Sequence, residues 1–219
     1  MKAMKKNLKK LICLFTALST VLCNGAYASV IVKGGIDSFY DTGPGFTSEL
    51  VVAGDSYAQH FYKDEHDRDI RMYLYSQEGQ TLEENWKLMT EAFNSFYKLI
   101  FLSISVNERQ RNTHPSVFEA EFRQLLEMAK NTGKIVLLHS YMYYDLASVP
   151  VFQYTTFEYD AMIRKIIMDY DNVYFIDMSD CVGVEYMLPD MIHYNKKFND
   201  VMYDRVKMMF DLIREKYHG

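Results

Sequence analysis

Proline and glycine are scarce, at 4 and 10 residues in a chain of 219, which excludes collagen-like and linker-dominated architectures. Cysteine is scarcer still, with three in all: Cys13, Cys23 and Cys181. No C-x-x-C, H-E-x-x-H or EF-hand spacing occurs, so no motif indicates a metal site or calls for a cofactor. Basic charge is also short. The first 28 residues hold five lysines and no acid, so the remainder carries 19 basic against 29 acidic side chains, a net charge of −10. That balance disfavours a nucleic acid or an anionic membrane surface as partner. Nor is there a long apolar run. The longest, Leu11–Leu22, has 12 residues, where a comfortable membrane span needs about 20.

What is present at the N-terminus reads as an export signal. Lys2 to Lys10 supply the positive region, Leu11–Leu22 the apolar core, and Ala26-Tyr27-Ala28 the small residues before a cut. The expectation is a signal peptide over 1–28, removed after Ala28, and a secreted protein with no stable membrane insertion. Leu22 before Cys23 is too bulky for a lipidation site. Cys13 and Cys23 leave with the signal, so Cys181 remains alone and is expected to be a buried, inert thiol. A domain of this size needs no disulfide.

Residues 29–48 are Gly-rich and weakly patterned, and read as an N-terminal arm. From residue 49 the pattern alternates. Short apolar runs at Leu50–Ala53, Ile70–Tyr75, Leu99–Ile104, Ile135–Leu138 and Val173–Ile176 read as buried strands. Between and after them lie amphipathic segments. Leu82, Trp86, Met89, Phe93 and Phe96 share one face, as do Phe118, Phe122, Leu125 and Met128. Tyr159, Ile163, Ile166 and Tyr170 form a third stripe, and Phe198, Met202, Val206, Met209, Ile213 and Tyr217 a fourth. Thr81 with Glu84 and Thr155 with Glu158 fit capping boxes, Pro115 suits a first helical turn, and Gly133 a helix end. Strands alternating with helices predict a three-layer α/β/α sandwich on a five-stranded, mainly parallel, flavodoxin-like sheet. Ligands in such folds sit at the carboxyl ends of the strands.

The residues just after the apolar runs are therefore the ones to question. Gly54-Asp55-Ser56-Tyr57 follows the first, placing a hydroxyl at a strand-to-helix turn beside free backbone N–H groups. Gly79 follows the second and Asn107 the third. After the fifth, Asp190 stands three residues before His193, a spacing that brings a carboxylate to Nδ1 and leaves Nε2 free as a base. Taken singly, each reads as a cap or a turn; four in order at one edge do not. His60, His66, His114, His139 and His218 are expected at the surface or in structural roles, and Asp64-Glu65-His66-Asp67 reads as a solvated helix end.

This set resembles the SGNH hydrolase superfamily, the GDSL esterases and lipases, over residues 49 to about 217. Its four blocks centre on the Ser of a GDS motif, a Gly, an Asn and a D-x-x-H. The resemblance implies Ser56 as nucleophile, His193 as general base and Asp190 as its orienting carboxylate. It implies an oxyanion hole of the Ser56 and Gly79 N–H groups with the Asn107 side chain. Three departures stand out: Tyr57 for a frequent Leu, Ser105-Val106-Asn107-Glu108 where GxND is common, and Met191 where Gly is frequent. The implied reaction is hydrolysis of carboxylic esters through an acyl-enzyme, with no cofactor. Tyr57, Tyr141, Tyr143 and Tyr144 are candidate substrate contacts, which suits short acyl groups on a glycan. The chain has no long insertion for a lid or deep acyl tunnel. Lipid-type esters, acyl transfer to an alcohol, and a binding module without turnover are the alternatives.

Overall fold

The computed structural model describes residues 30–31, 49–139, 156–181, 183–190 and 192–218. Five strands, β2 (Glu49–Gly54), β3 (Arg71–Ser76), β4 (Leu99–Ser103), β5 (Ile135–His139) and β6 (Val173–Ile176), are all mutually parallel. They lie within a residue or two of the apolar runs. Their order across the sheet is β3-β2-β4-β5-β6, so the chain steps to one side from β2 and then reverses, as in flavodoxin-like folds. A two-residue strand, β1 (Val30–Ile31), adds an antiparallel edge to β6 and makes the sheet six-stranded. The segment read as a patternless arm thus contributes a short piece of ladder.

The strands are near-continuous Val, Ile, Leu and Phe because both faces of the sheet are covered. β4, β5 and β6 are buried at every position. On one face pack α1 (Ser56–Glu65) and α6 (Lys196–His218). The other carries α2 (Trp86–Phe93), α4 (Pro115–Asn131) and α5 (Thr156–Ile166), and a single turn, α3 (Val106–Gln110), follows β4. The helical stripes point inward as their spacing requires: Phe118, Phe122 and Leu125, and likewise Phe198, Met202, Val206, Met209 and Ile213, are buried.

Three local expectations change. The Thr81–Glu84 capping box is present, with the Thr81 N–H donating to Glu84 Oε2 at 3.0 Å and the Glu84 N–H to Thr81 Oγ1 at 3.4 Å. It closes a turn, however, and the α-helix starts only at Trp86. That helix ends at Phe93, so Phe96, placed by spacing on the buried stripe, is 64% exposed. The acidic run at the end of α1 is not simply solvated either. Glu65 is fully buried and accepts from Arg68 at 2.8 Å, with Lys196 of α6 at 3.5 Å, while Asn199 donates to Asp64 at 2.8 Å. These bonds tie the helix that carries Ser56 to the C-terminal one. Pro115 opens α4 behind the His114 cap, and Gly133, with φ +64°, follows its end. Thr155 lies outside the described residues.

The tightest point of the sheet is where β2 ends. Gly54 has φ +139°, and a Cβ built there would stand 1.7 Å from the Ser103 carbonyl oxygen of β4. Because both the backbone conformation and the contact with main chain exclude a side chain, Gly54→Ala should cost at least about 3 kcal/mol of stability. Chemical denaturation of the variant beside the parent tests this; a midpoint within error of the parent would mean that β2 and β4 can part at little cost.

Candidate active site

Gly54 allows the chain to turn from β2 straight into α1. Asp55 is the cap of that helix: its Oδ1 accepts from the Tyr57 N–H at 3.0 Å, and its own N–H donates to the Ser103 carbonyl at 3.0 Å. Ser56 is therefore the first helical residue, at the carboxyl edge of the sheet, where helix N–H groups have no intrahelical acceptor. The loop after β6 brings the D-x-x-H segment over it. His193 Nε2 lies 2.9 Å from Ser56 Oγ, and His193 Nδ1 lies 2.7 Å from Asp190 Oδ2. The other carboxylate oxygen, Oδ1, accepts from the backbone N–H groups of Ile192 and His193, both at 2.9 Å. Partial burial pulls the Asp190 carboxyl upward, but the bonds from the His193 ring and these N–H groups outweigh it and hold the group below its usual range. Asp190 is thus a charged acceptor that keeps the imidazole proton on Nδ1 and the Nε2 lone pair toward the serine.

Tyr57, expected as a candidate substrate contact, is only 5% exposed and serves the loop instead. Its hydroxyl donates to the Ile192 carbonyl at 2.6 Å, its ring stacks on Tyr194 at 4.6 Å, and its edge meets the His193 ring at 5.7 Å. The residue beside the serine thereby clamps both sides of the histidine. Tyr141, Tyr143 and Tyr144 lie outside the described residues.

Gly79 and Asn107 come to the same edge. Gly79 has φ +73° and open space around its Cα, and its carbonyl accepts from Arg111 at 2.6 Å. Arg111 also pairs with Glu84 and so pins the Gly79 loop to the end of α3. Asn107, on α3, is buried and donates through Nδ2 to the Gln80 carbonyl at 2.8 Å. Three segments that are distant in sequence are thus joined by main-chain and amide bonds around the serine.

Beneath them is a narrow cleft lined in part by Asp55, Asn85, Ser105 and Glu108. The second oxygen of Asp55 accepts from the Val106 N–H at 3.4 Å, and Glu108 Oε1 accepts from the Leu82 N–H. Burial, then the neighbouring Glu108, pushes Asp55 up to about 7 against the opposing N–H bonds and Arg109. Burial likewise pushes Glu108 up to about 7. Ser105 stands where the resemblance has Gly, and its backbone shows why: φ is +91°, in the left-handed region, and its buried hydroxyl has no partner among the described residues.

Sequence reasoning missed one neighbour of His193. His60, expected to be peripheral, stacks on His193 with ring centroids 4.6 Å apart and planes 9° from parallel. Burial and then the neighbouring His193 lower its pKa against the opposing pull of Glu78 and Asp64. Its signal was available: His60 follows Ser56 by four residues on one helix, hence on one face. Cys181 is buried, as expected, and forms no disulfide among the described residues, and burial raises its pKa.

No protein-family model matches the chain, and no curated protein matches it in sequence. Solved structures do. A GDSL-like lipase from Bacteroides thetaiotaomicron superposes with a TM-score of 0.60 at 16% identity, over 76% of this chain and 89% of that one. The psychrotrophic esterase EstA from Pseudoalteromonas sp., inhibited by monoethylphosphonate, gives 0.57 at 16% identity, over 75% and 100%. The fold is that of the GDSL acylhydrolases. A salicylyl-acyltransferase from a tetracycline biosynthetic pathway also superposes, with a TM-score of 0.58 at 14% identity, over 79% of this chain and 56% of that one.

Two outcomes follow from the buried groups of this GDSL fold. Ser105→Gly relieves a left-handed side chain and removes an unpaired hydroxyl, and should raise stability by about 1 kcal/mol after the entropy cost of glycine. A loss of stability in denaturant would show that the Ser105 side chain is needed. Asp55 and Glu108 have folded-state pKa values above their unfolded ones, so between about pH 4.5 and 7 the unfolded chain has released protons that the folded chain retains. Their contribution is thus fully present at low pH and lost as pH rises toward 7. Glu108→Gln should flatten this decline by up to about 1.4 kcal/mol per pH unit. Unfolding midpoints across that range would reveal it, and an unchanged slope would rule Glu108 out as its source.

Proposed function

We propose that this chain is a secreted serine esterase that hydrolyses carboxylic esters through an acyl-enzyme, with short O-acyl groups such as acetyl on carbohydrate as its substrates. The observation that carries the reading is the bond chain from Asp190 through His193 to Ser56, at 2.7 and 2.9 Å. Ser56 Oγ attacks the ester carbonyl while Nε2 takes its proton, and the imidazolium is stabilised by Asp190. The tetrahedral oxygen is received by the N–H groups of Ser56 and Gly79 and by Asn107 Nδ2. His193 then returns the proton to the leaving alcohol. Water, deprotonated by the same nitrogen, attacks the acyl-Ser56 carbonyl and releases the acid.

The short acyl group is favoured by how the edge is built. α1 begins immediately after β2, the Gly79 loop is held by Arg111, and the sequence has no long insertion to build a lid or a deep acyl tunnel over Ser56. Export is supported by the run from Lys2 to Ala28; among the described residues no helix is long and apolar enough to cross a membrane. Acyl transfer to an alcohol shares the first half of the reaction, and the likeness to a salicylyl-acyltransferase makes that outcome one to test.

The experiment compares p-nitrophenyl acetate, butyrate and octanoate, with Ser56→Ala and Asn107→Ala beside the parent. Acetate should react fastest. Ser56→Ala should lose about 10⁴-fold in kcat/KM or more, and Asn107→Ala about 10²- to 10³-fold, mainly in kcat. Octanoate preference would replace the substrate class and keep the chemistry, and product partitioning toward an added sugar would favour transfer. Turnover independent of Ser56 would sink the mechanism.

A further inference from the structure

Beside Ser56 and its base His193, the site holds two groups that hydrolysis does not use, His60 and Glu78. One ligand-type atom from each of His60, Glu78 and His193 lies within 4.8 Å of the other two. The three come from separate segments: α1, the loop after β3, and the loop after β6. Two imidazoles and a carboxylate form the donor set of three-coordinate protein zinc sites, with the fourth position left to water. We propose that His60, Glu78 and His193 bind a zinc-type divalent transition metal that reversibly switches the esterase off. The inhibitory half of this inference rests on the reading of His193 as the base.

The chemistry follows from how His193 is held. Asp190 Oδ2, 2.7 Å from Nδ1, fixes the proton on that nitrogen and leaves one in-plane lone pair at Nε2. This carboxylate–histidine pairing is also the one that orients and strengthens metal-bound imidazoles. The Nε2 lone pair can accept the Ser56 proton or bind a metal, but not both. Coordination therefore costs the nucleophile its base without breaking any covalent bond.

His60 and Glu78 complete the site at modest cost. Donor atoms of one tetrahedral zinc stand about 3.3 Å apart, so closing from the present separation requires shifts of about 1 Å. Glu78 is exposed. His60 must tilt out of its near-parallel stack so that the metal lies in both ring planes. Imidazole and carboxylate donors together favour Zn²⁺, Co²⁺, Ni²⁺ and Cu²⁺ over Mg²⁺ and Ca²⁺.

The test uses the full chain, with Zn²⁺ and Co²⁺ as probes, and reads binding separately from turnover. Competition with a chromophoric chelator should give one zinc per chain, and Co²⁺ should show the intense visible bands of a tetrahedral site. Zn²⁺ should suppress ester turnover at the concentrations at which it binds, Mg²⁺ should not, and EDTA should restore it. Glu78→Gln should retain the parent's turnover without metal, yet need about 10- to 100-fold more zinc for both binding and inhibition. His60→Gln should weaken binding similarly. Zinc binding with no turnover on any ester would preserve the metal site and refute the hydrolase reading. Turnover with no zinc effect, zinc affinity unchanged in both variants, or stimulation by zinc would each overturn this proposal.

Discussion

Asp55 joins two parts of the chain with a single buried carboxyl, and the edge of the sheet is organised around it. One oxygen caps α1 through the Tyr57 N–H at 3.0 Å, and the other reaches the Val106 N–H at the head of α3 at 3.4 Å. Its own N–H closes onto Ser103 at 3.0 Å. The serine, which leads the capped helix, and Asn107, which sits one residue beyond Val106, are thereby placed in relation to each other. A buried carboxyl is costly to desolvate, and both Asp55 and Glu108 show it in their raised pKa values. The geometry is kept because backbone donors that would otherwise be orphaned at two helix starts find an acceptor there.

Around that junction the polar groups fall into two layers. Below are Asp55, Glu108, Asn85 and Ser105, buried and concerned with holding turns; Asn85 Nδ2 donates to the Gly54 carbonyl at 2.6 Å. Above are His193, Asp190, His60 and Glu78, half-buried or exposed. Ser56 is the hinge between them, with its backbone in the lower layer and its hydroxyl in the upper. Tyr57 links the layers mechanically, its N–H bound to Asp55 and its hydroxyl to the Ile192 carbonyl. A change at Tyr57 therefore reaches the histidine through the main chain as well as through the ring.

The five parallel strands were legible because each is an uninterrupted apolar run, and burial on both faces permits nothing else there. The approach of Asp190 to His193 was legible because a three-residue spacing is local. His60 was not picked out, since its importance depends on where the far loop lands. A histidine four residues past a serine says only that both share a helix face. The role of Tyr57 was hidden for a similar reason: a tyrosine beside a candidate nucleophile suggests a substrate contact until Ile192, His193 and Tyr194 are seen to pack on it. Phe96 misled because helical spacing continues past the point where Asn94 ends the helix. Glu65 misled because an acidic run looks solvated until α6 brings Lys196 and Asn199 to it.

A histidine that acts as a base must keep a lone pair pointed at an open cleft, with its other nitrogen held by an acceptor. A metal-binding histidine needs the same two things. What separates the roles is whether further donors stand within reach. Gly79 requires a loop that passes close to the serine, and its chain neighbour Glu78 is carried to the mouth by that requirement. α1 must present Ser56 at its first turn, and the helical repeat puts position 60 directly above it. The two extra donors thus sit where the presentation of Ser56 and Gly79 places their neighbours, and the identities His and Glu at those two positions make a metal compete with the serine proton for the same lone pair.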